Sequence, residues 1–244
     1  MSKISYALFD LDNTLYRGER FHVIYDFPVI LHKEGLFNKT NLDELDRLWN
    51  GYINGNILRP SFVNKTIESY FHGIKGEKVK EIKLSAKTWL QKSSNLWFEY
   101  TFDLMELFKT IPIHTVLVSG SPVEPLEVIK DLLSVDELHA TTGHIGAEDE
   151  FLGTCRFDFG SKKTKEKLIK SWSFPRESSF AFGDSESDFP LLEAVNPKNS
   201  FLLRSNKDDV LGNLGREKGW NVFTHDDDIL NKVRERIVNT FYKF

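Results

Sequence analysis

The chain has 244 residues, 40% of them hydrophobic and 13% aromatic, enough apolar surface for a real core and too much for a disordered chain. Its 32 basic and 36 acidic residues leave a formal charge of −4, which excludes the broad positive field of a nucleic-acid or anionic-membrane binder. The single cysteine, Cys155, makes no internal disulfide, and no stretch reaches the ~18 apolar residues of a membrane span.

Met1-Ser2-Lys3-Ile4 leads into only six mostly apolar residues before Asp10, too few for a signal peptide, so a cytoplasmic setting is expected. Ile4 to Phe9 is an apolar run that stops at Asp10-Leu11-Asp12-Asn13-Thr14, the pattern of a buried strand ending in a polar turn. Three helical stripes follow: Leu42, Leu45, Trp49 and Tyr52; Val63, Ile67, Tyr70 and Ile74; Val79, Ile82, Ala86 and Trp89. No strand interrupts them. Residues 18–98 therefore read as a helical subdomain inserted after the first strand, with its aromatic residues mostly in its core.

Thr115 to Val118 is a second strand, ending at Ser119-Gly120-Ser121-Pro122, and Leu126, Ile129 and Leu133 mark a helix after it. Leu138 to Phe159 suggests a hairpin. Leu168, Ile169 and Trp172 form a further helical stripe, and Ser179 to Phe182 is a third strand, ending at Gly183-Asp184. Ser200 to Leu203 and Asn221 to Phe223 are strand candidates, and His225-Asp226-Asp227-Asp228 opens a helix over Ile229 to Phe241. Strands alternating with helices predict an α/β fold, a Rossmann-like doubly wound parallel sheet. Its core comprises residues 1–17 and 99–244, interrupted by the helical cap at 18–98.

Open parallel sheets bind ligands beyond the carboxyl ends of their strands, and three strand ends here carry particular polar residues. Asp10 and Asp12 can turn two carboxylates toward one ligand, and a divalent cation relieves their repulsion. Gly183-Asp184-Ser185-Glu186-Ser187-Asp188 adds oxygen donors that suit Mg²⁺, although Asp188 also fits an ordinary helix N-cap. Ser119-Gly120-Ser121 offers hydroxyls and backbone N–H groups beside a helix N-terminus, a seat for phosphate. Lys162-Lys163-Thr164-Lys165-Glu166-Lys167 is mainly a solvated helix face, with one lysine free to turn inward onto a phosphoryl group. His139, His144 and Cys155 lack the spacing of a closed zinc site.

Taken in order, DxDxT, an apolar strand ending in serine, a lysine and GDxxxD resemble the haloacid dehalogenase superfamily of phosphohydrolases; FDLDNTL is the strongest single piece. The helical insertion is similar to the C1 cap of the branch that includes phosphoserine phosphatases. Val195 to Phe223, with Asn196-Pro197 and Lys218-Gly219-Trp220, is similar to its IB subfamily. The resemblance implies Asp10 as nucleophile and Asp12 as general acid and base. It also implies Mg²⁺ held by Asp10, the Asp12 backbone carbonyl and Asp184, with Asp188 supporting them. Ser119, Gly120 and a lysine would bind the phosphoryl group. Lys165 is chosen because Leu168 and Ile169 follow it, with Lys163 or Lys162 as alternatives.

Glu19 stands at the spacing of a substrate-binding cap glutamate. The arginine that phosphoserine phosphatases use for the substrate carboxylate falls at Asn64, with Arg59 nearby. Ser121 replaces a glycine and Ser187 an asparagine, and these departures argue against phosphoserine. The expected activity is a Mg²⁺-dependent phosphatase acting on a small phosphomonoester through an aspartyl-phosphate, with no nucleic-acid or membrane partner. Phosphoryl transfer to another acceptor is the alternative on the same scaffold. A non-catalytic phosphate-binding regulator would need no nucleophile–acid pair, and a dehalogenase would need neither Asp12 nor the metal.

Overall fold

The computed structural model describes residues 4–20, 22–93 and 95–242. Residues 1–3, 243 and 244, which the sequence places in the core, lie outside them, as do Phe21 and Ser94 of the cap segment. Among the described residues seven strands form one sheet: β1 (Ser5–Phe9), β2 (Ile113–Pro122), β3 (Glu137–Ile145), β4 (Phe151–Phe157), β5 (Phe180–Gly183), β6 (Ser200–Leu203) and β7 (Asn221–Phe223). Their order is β4-β3-β2-β1-β5-β6-β7, and every neighbouring pair is parallel except β3 and β4. The expected hairpin is that antiparallel pair. Because β3 also pairs with β2, the hairpin extends the main sheet.

The central strands β1, β2, β5 and β6 are buried on both faces because side chains alternate between two cores. Ala7 and Phe9 of β1 enter one core, and Leu8 the other. On the first face Phe9, Phe182 and Phe201 occupy matched positions of β1, β5 and β6. Their rings stack 4.8 and 4.7 Å apart between centroids, close to the spacing of neighbouring strands. Phe108 of α5 (Thr101–Lys109) meets Phe9 and Phe182 edge-on, and α10 (Ile229–Phe241) adds Ile229 and Val233. On the second face Leu8, Val116 and Ala181 join residues of α7 (Lys162–Ser171), α8 (Phe189–Leu192) and α9 (Val210–Glu217). Helices on both faces make the fold doubly wound.

Between β1 and α5 lie α1 (Val23–Lys33), α2 (Lys39–Ile53), α3 (Arg59–Gly73) and α4 (Val79–Lys92), and among the described residues no sheet strand interrupts them. The chain leaves and re-enters the core through adjacent segments, joined by bonds from Arg17 N–H to Leu96 O (2.8 Å) and Phe98 N–H to Leu15 O (3.3 Å). Farther off, the α3–α4 turn is sewn to the hairpin. Gly76 N–H donates to Phe151 O, Phe151 N–H to Glu77 O and Val79 N–H to Asp149 O, at 2.9, 2.9 and 3.0 Å. α4 also packs on α6 (Val123–Leu133), with Lys83 and Glu127 paired at 2.5 Å. Among the described residues no helix is long and apolar enough to cross a membrane.

Candidate active site

Because β2, β1 and β5 are parallel neighbours, their carboxyl ends deliver Ser119, Asp10 and Asp184 to one edge of the sheet. This is also where the strand order reverses, with β2 and β3 to one side of β1 and β5 to the other. The strand ends are shaped by two glycines. A Cβ on Gly183 would lie 2.5 Å from Asp188 Cβ, so the bare glycine makes room for that carboxylate. A Cβ on Gly120 would lie 2.6 Å from Gly160 Cα, where two backbones press together.

Lys165, on the first turn of α7, is 1% exposed, whereas Lys162 and Lys163 are exposed. Its ammonium donates to Asp10 Oδ1 at 2.8 Å and to Asp188 Oδ1 at 2.5 Å. The other oxygen of Asp188 accepts from the backbone N–H groups of Asp184 and Ser185 and from the Ser185 hydroxyl, at 3.2, 3.0 and 2.8 Å. Asp188 thus caps the turn that follows β5 and orients the lysine at the same time. Asn13, in the left-handed region at φ 59°, donates from Nδ2 to Asp184 Oδ2 at 2.9 Å. Arg204, just past β6, binds the Asp184 carbonyl and pairs with Asp209 at 2.5 Å.

Asp12 faces a different set of donors. Its Oδ1 accepts from Val23 N–H, the first residue of α1, at 2.7 Å. Its Oδ2 accepts from the hydroxyls of Ser121 at 2.7 Å and Ser119 at 3.2 Å. The N-terminus of a helix favours a carboxylate there.

Carboxylate oxygens of Asp10, Asp184 and Asp188 lie within 4.8 Å of one another. Burial first, then the Asp188 charge, lifts the Asp10 carboxyl well above its usual range against the pull of Lys165. Burial and Asp188 likewise raise Asp184 to about 6. Burial acts on Asp188 in the same sense, but the Lys165 charge and hydrogen bond outweigh it and hold Asp188 low. Burial would lower Lys165, and Asp10 and Asp188 together hold it high. No hydrogen bond of the described residues engages Asp10 Oδ2 or Asp184 Oδ1. Crowded carboxylates with free oxygens and excess negative charge fit a hard cation.

These groups open into a chamber of about 340 Å³ between the strand ends and the inserted helices. Gly120, Ser121 and Lys165 line it, with Arg59 and Ser187 joined across it by a 3.4 Å bond. Ser119 is fully buried behind them. Glu19 is exposed and does not line the chamber; its backbone N–H donates to Asp26. Asn64 is likewise not among the chamber's lining residues.

A sequence-family model described as haloacid dehalogenase-like hydrolase matches residues 7–193. The chain belongs to that family. A curated relative, the inhibition of morphological differentiation protein of Streptomyces azureus, is 27% identical over 150 residues, 60% of this chain and 53% of its own. The chain thus spans about half the length of that relative. Among solved structures, a Bordetella pertussis Tohama I protein of unknown function is similar at 18% identity and TM-score 0.71, covering 92% of this chain and 100% of its own. A phosphoserine phosphatase solved as a phospho-aspartyl intermediate analogue is 15% identical with TM-score 0.63, over 96% and 99% of the two chains. A phosphoserine phosphohydrolase-like protein of Francisella tularensis SCHU S4 is 18% identical at TM-score 0.63, over 96% and 100%. At such identities the likeness is one of fold. For this haloacid dehalogenase-like hydrolase, the structure brings Asp10, Lys165, Asp184 and Asp188 into one cluster and sets Asp12 beside it. The hydroxyl of Ser121, taken in the sequence as a missing glycine, is the shortest side-chain bond to Asp12. Asn13 and Arg204 also belong to the site, and only the place of Asn13 next to Asp12 signalled it.

Proposed function

We propose that this hydrolase is a Mg²⁺-dependent phosphatase that cleaves a small phosphomonoester through an aspartyl-phosphate on Asp10. The observation that carries the reading is the buried Asp10–Lys165–Asp188 array, with Asp184 and Asp12 beside it at the floor of the chamber. Asp10, Asp184 and the Asp12 carbonyl would hold the cation, which supplies charge neutralisation at the phosphoryl group.

In this reading a carboxylate oxygen of Asp10 bonds to phosphorus as the bond from phosphorus to the leaving oxygen breaks. Asp12 gives that oxygen a proton. Water then attacks the aspartyl-phosphate, Asp12 takes the water's proton, and phosphate leaves with Asp10 restored. Lys165 offsets the like charge that would repel a phosphate from Asp10, and Asp188 holds its ammonium in place. Ser119 and Ser121 fix the Asp12 carboxylate, while Gly120 leaves its backbone close to the phosphate seat. The cap, residues 18–98 in this division, closes the chamber against water. The setting is cytoplasmic, as one unpaired cysteine suggests.

Asp10→Asn is expected to lower phosphate release by at least about a thousandfold, and EDTA to abolish it. Release assayed over a panel of phosphomonoesters with Mg²⁺ checks both. Undiminished turnover in Asp10→Asn overturns the nucleophile. Added alcohol acceptors separate hydrolysis from transfer by the appearance of a new phosphate ester.

A further inference from the structure

Away from the strand ends, most of the chamber wall comes from the inserted helices; His22, Arg59 and Thr66 are its polar groups, and aromatic rings are its most extended feature. Tyr25 of α1, Phe62 of α3 and Tyr52 of α2 all line it with nearly parallel planes. Tyr52 and Phe62 lie 4.2 Å apart between centroids at 14°, and Phe62 and Tyr25 lie 5.9 Å apart at 12°. The ladder is held at its Tyr25 end. The Tyr25 hydroxyl bonds the Thr66 hydroxyl at 2.6 Å, and the Trp49 ring sits 5.1 Å from Tyr25. Tyr25 and Phe62 are buried and Tyr52 is half-buried, so the ladder ends at its most accessible ring. Ile24, Val63 and Ile67 extend the apolar surface.

Among the described residues, the acidic side chains lining the chamber are Asp10, Asp12 and Asp184, all at the strand ends. A ligand ammonium lying against the ladder therefore meets no counter-charge, and burying one unpaired is costly. Phosphoserine carries such a group. A flat uncharged ring instead gains apolar burial and offset stacking. The volume of about 340 Å³ is at the small end for ligand sites, room for a phosphate and a single ring.

We propose that the chamber selects phosphomonoesters whose leaving group ends in a flat, uncharged ring held against Tyr52, Phe62 and Tyr25. The inference rests on the phosphatase reading and narrows its substrate class. Binding tests it without needing turnover. With Mg²⁺ present, 3-phenylpropylphosphonate is expected to bind at least about tenfold tighter than propylphosphonate by calorimetry, and tighter than 2-amino-4-phosphonobutanoate. Tyr52→Ala brings the ratio of the first two below about threefold, as does Phe62→Leu, whereas Tyr52→Phe keeps it. Equal affinities in the parent protein, or a preference for the amino-acid analogue, overturn the inference. An undiminished ratio in a folded Tyr52→Ala protein does so too. Hydrolysis of 2-phenylethyl phosphate is measured alongside. Ring-selective binding without phosphate release leaves the selectivity standing and refutes the phosphatase.

Discussion

Glu124 opens the first turn of α6 with 2% of its surface exposed, and its Oε2 has no hydrogen-bond partner among the described residues. The groups that act on it are Tyr70 of α3, whose hydroxyl is also unpartnered, Glu127 of its own helix and Lys83 of α4. Lys83 is already paired with Glu127. Burial lifts the Glu124 carboxyl from 4.5 to about 7. The folded protein thus keeps a proton that the unfolded chain releases near pH 4.5. Its contribution is fully present below that pH and is lost as pH rises through about 7. The difference amounts to roughly 3 kcal/mol at alkaline pH. Glu124→Gln is expected to be the more stable protein at pH 8 and to match the parent near pH 4.5. Urea melts across that range check it, and parallel curves refute it. Residue detail of this kind was only half legible. Four lysines stood in the run, and helix phase buried Lys165 alone. Asp12's tie to Ser121 depends on how two strand ends meet, which spacing does not encode.

At the scale of elements, β2 and the approach to α7 are fixed by the contact of Gly120 with Gly160. Backbone on both sides leaves no flexible side chain to give way. Gly120→Ala is expected to cost about 1–3 kcal/mol and to shift Ser119 and Ser121 from Asp12, lowering kcat/KM with stability. Thermal melts paired with phosphate release check this, and a parent-like melt refutes it. Short buried strands were easily read, and β6 and β7 have the expected bounds. α1 escaped notice because Val-Ile-Tyr-Asp-Phe-Pro-Val-Ile-Leu is apolar on nearly every side and contains Pro28. A helix buried all round shows no stripe, and proline argues against a helix interior.

At the scale of the molecule, main-chain bonds tie the inserted helices to the core along two lines: the paired segments at 15–17 and 96–98, and the seam between 76–79 and 149–151. Amides of Gly76, Phe151 and Arg17 are expected to exchange slowly with deuterium. Those of the turn at 54–57, where Asn54, Gly55 and Asn56 are exposed, exchange much faster. Uniform exchange across both would refute the two-line attachment. The fold class was legible as a whole because alternation of strand and helix is written locally. The seam was not, since its bonds join main-chain groups of any sequence.

The central place of β1 has a consequence for synthesis. β1, the first of the seven strands in sequence, is flanked by β2 and, on its other side, by β5, which ends at Gly183. One edge of β1 stays open until most of the chain has been made. Lys165 and Asp188 reach Asp10 only after that wait, so the site cannot form before β5 and the turn that follows it are made. A nascent chain cut short of Asp188 carries the proposed nucleophile without the carboxylate that holds its lysine in place.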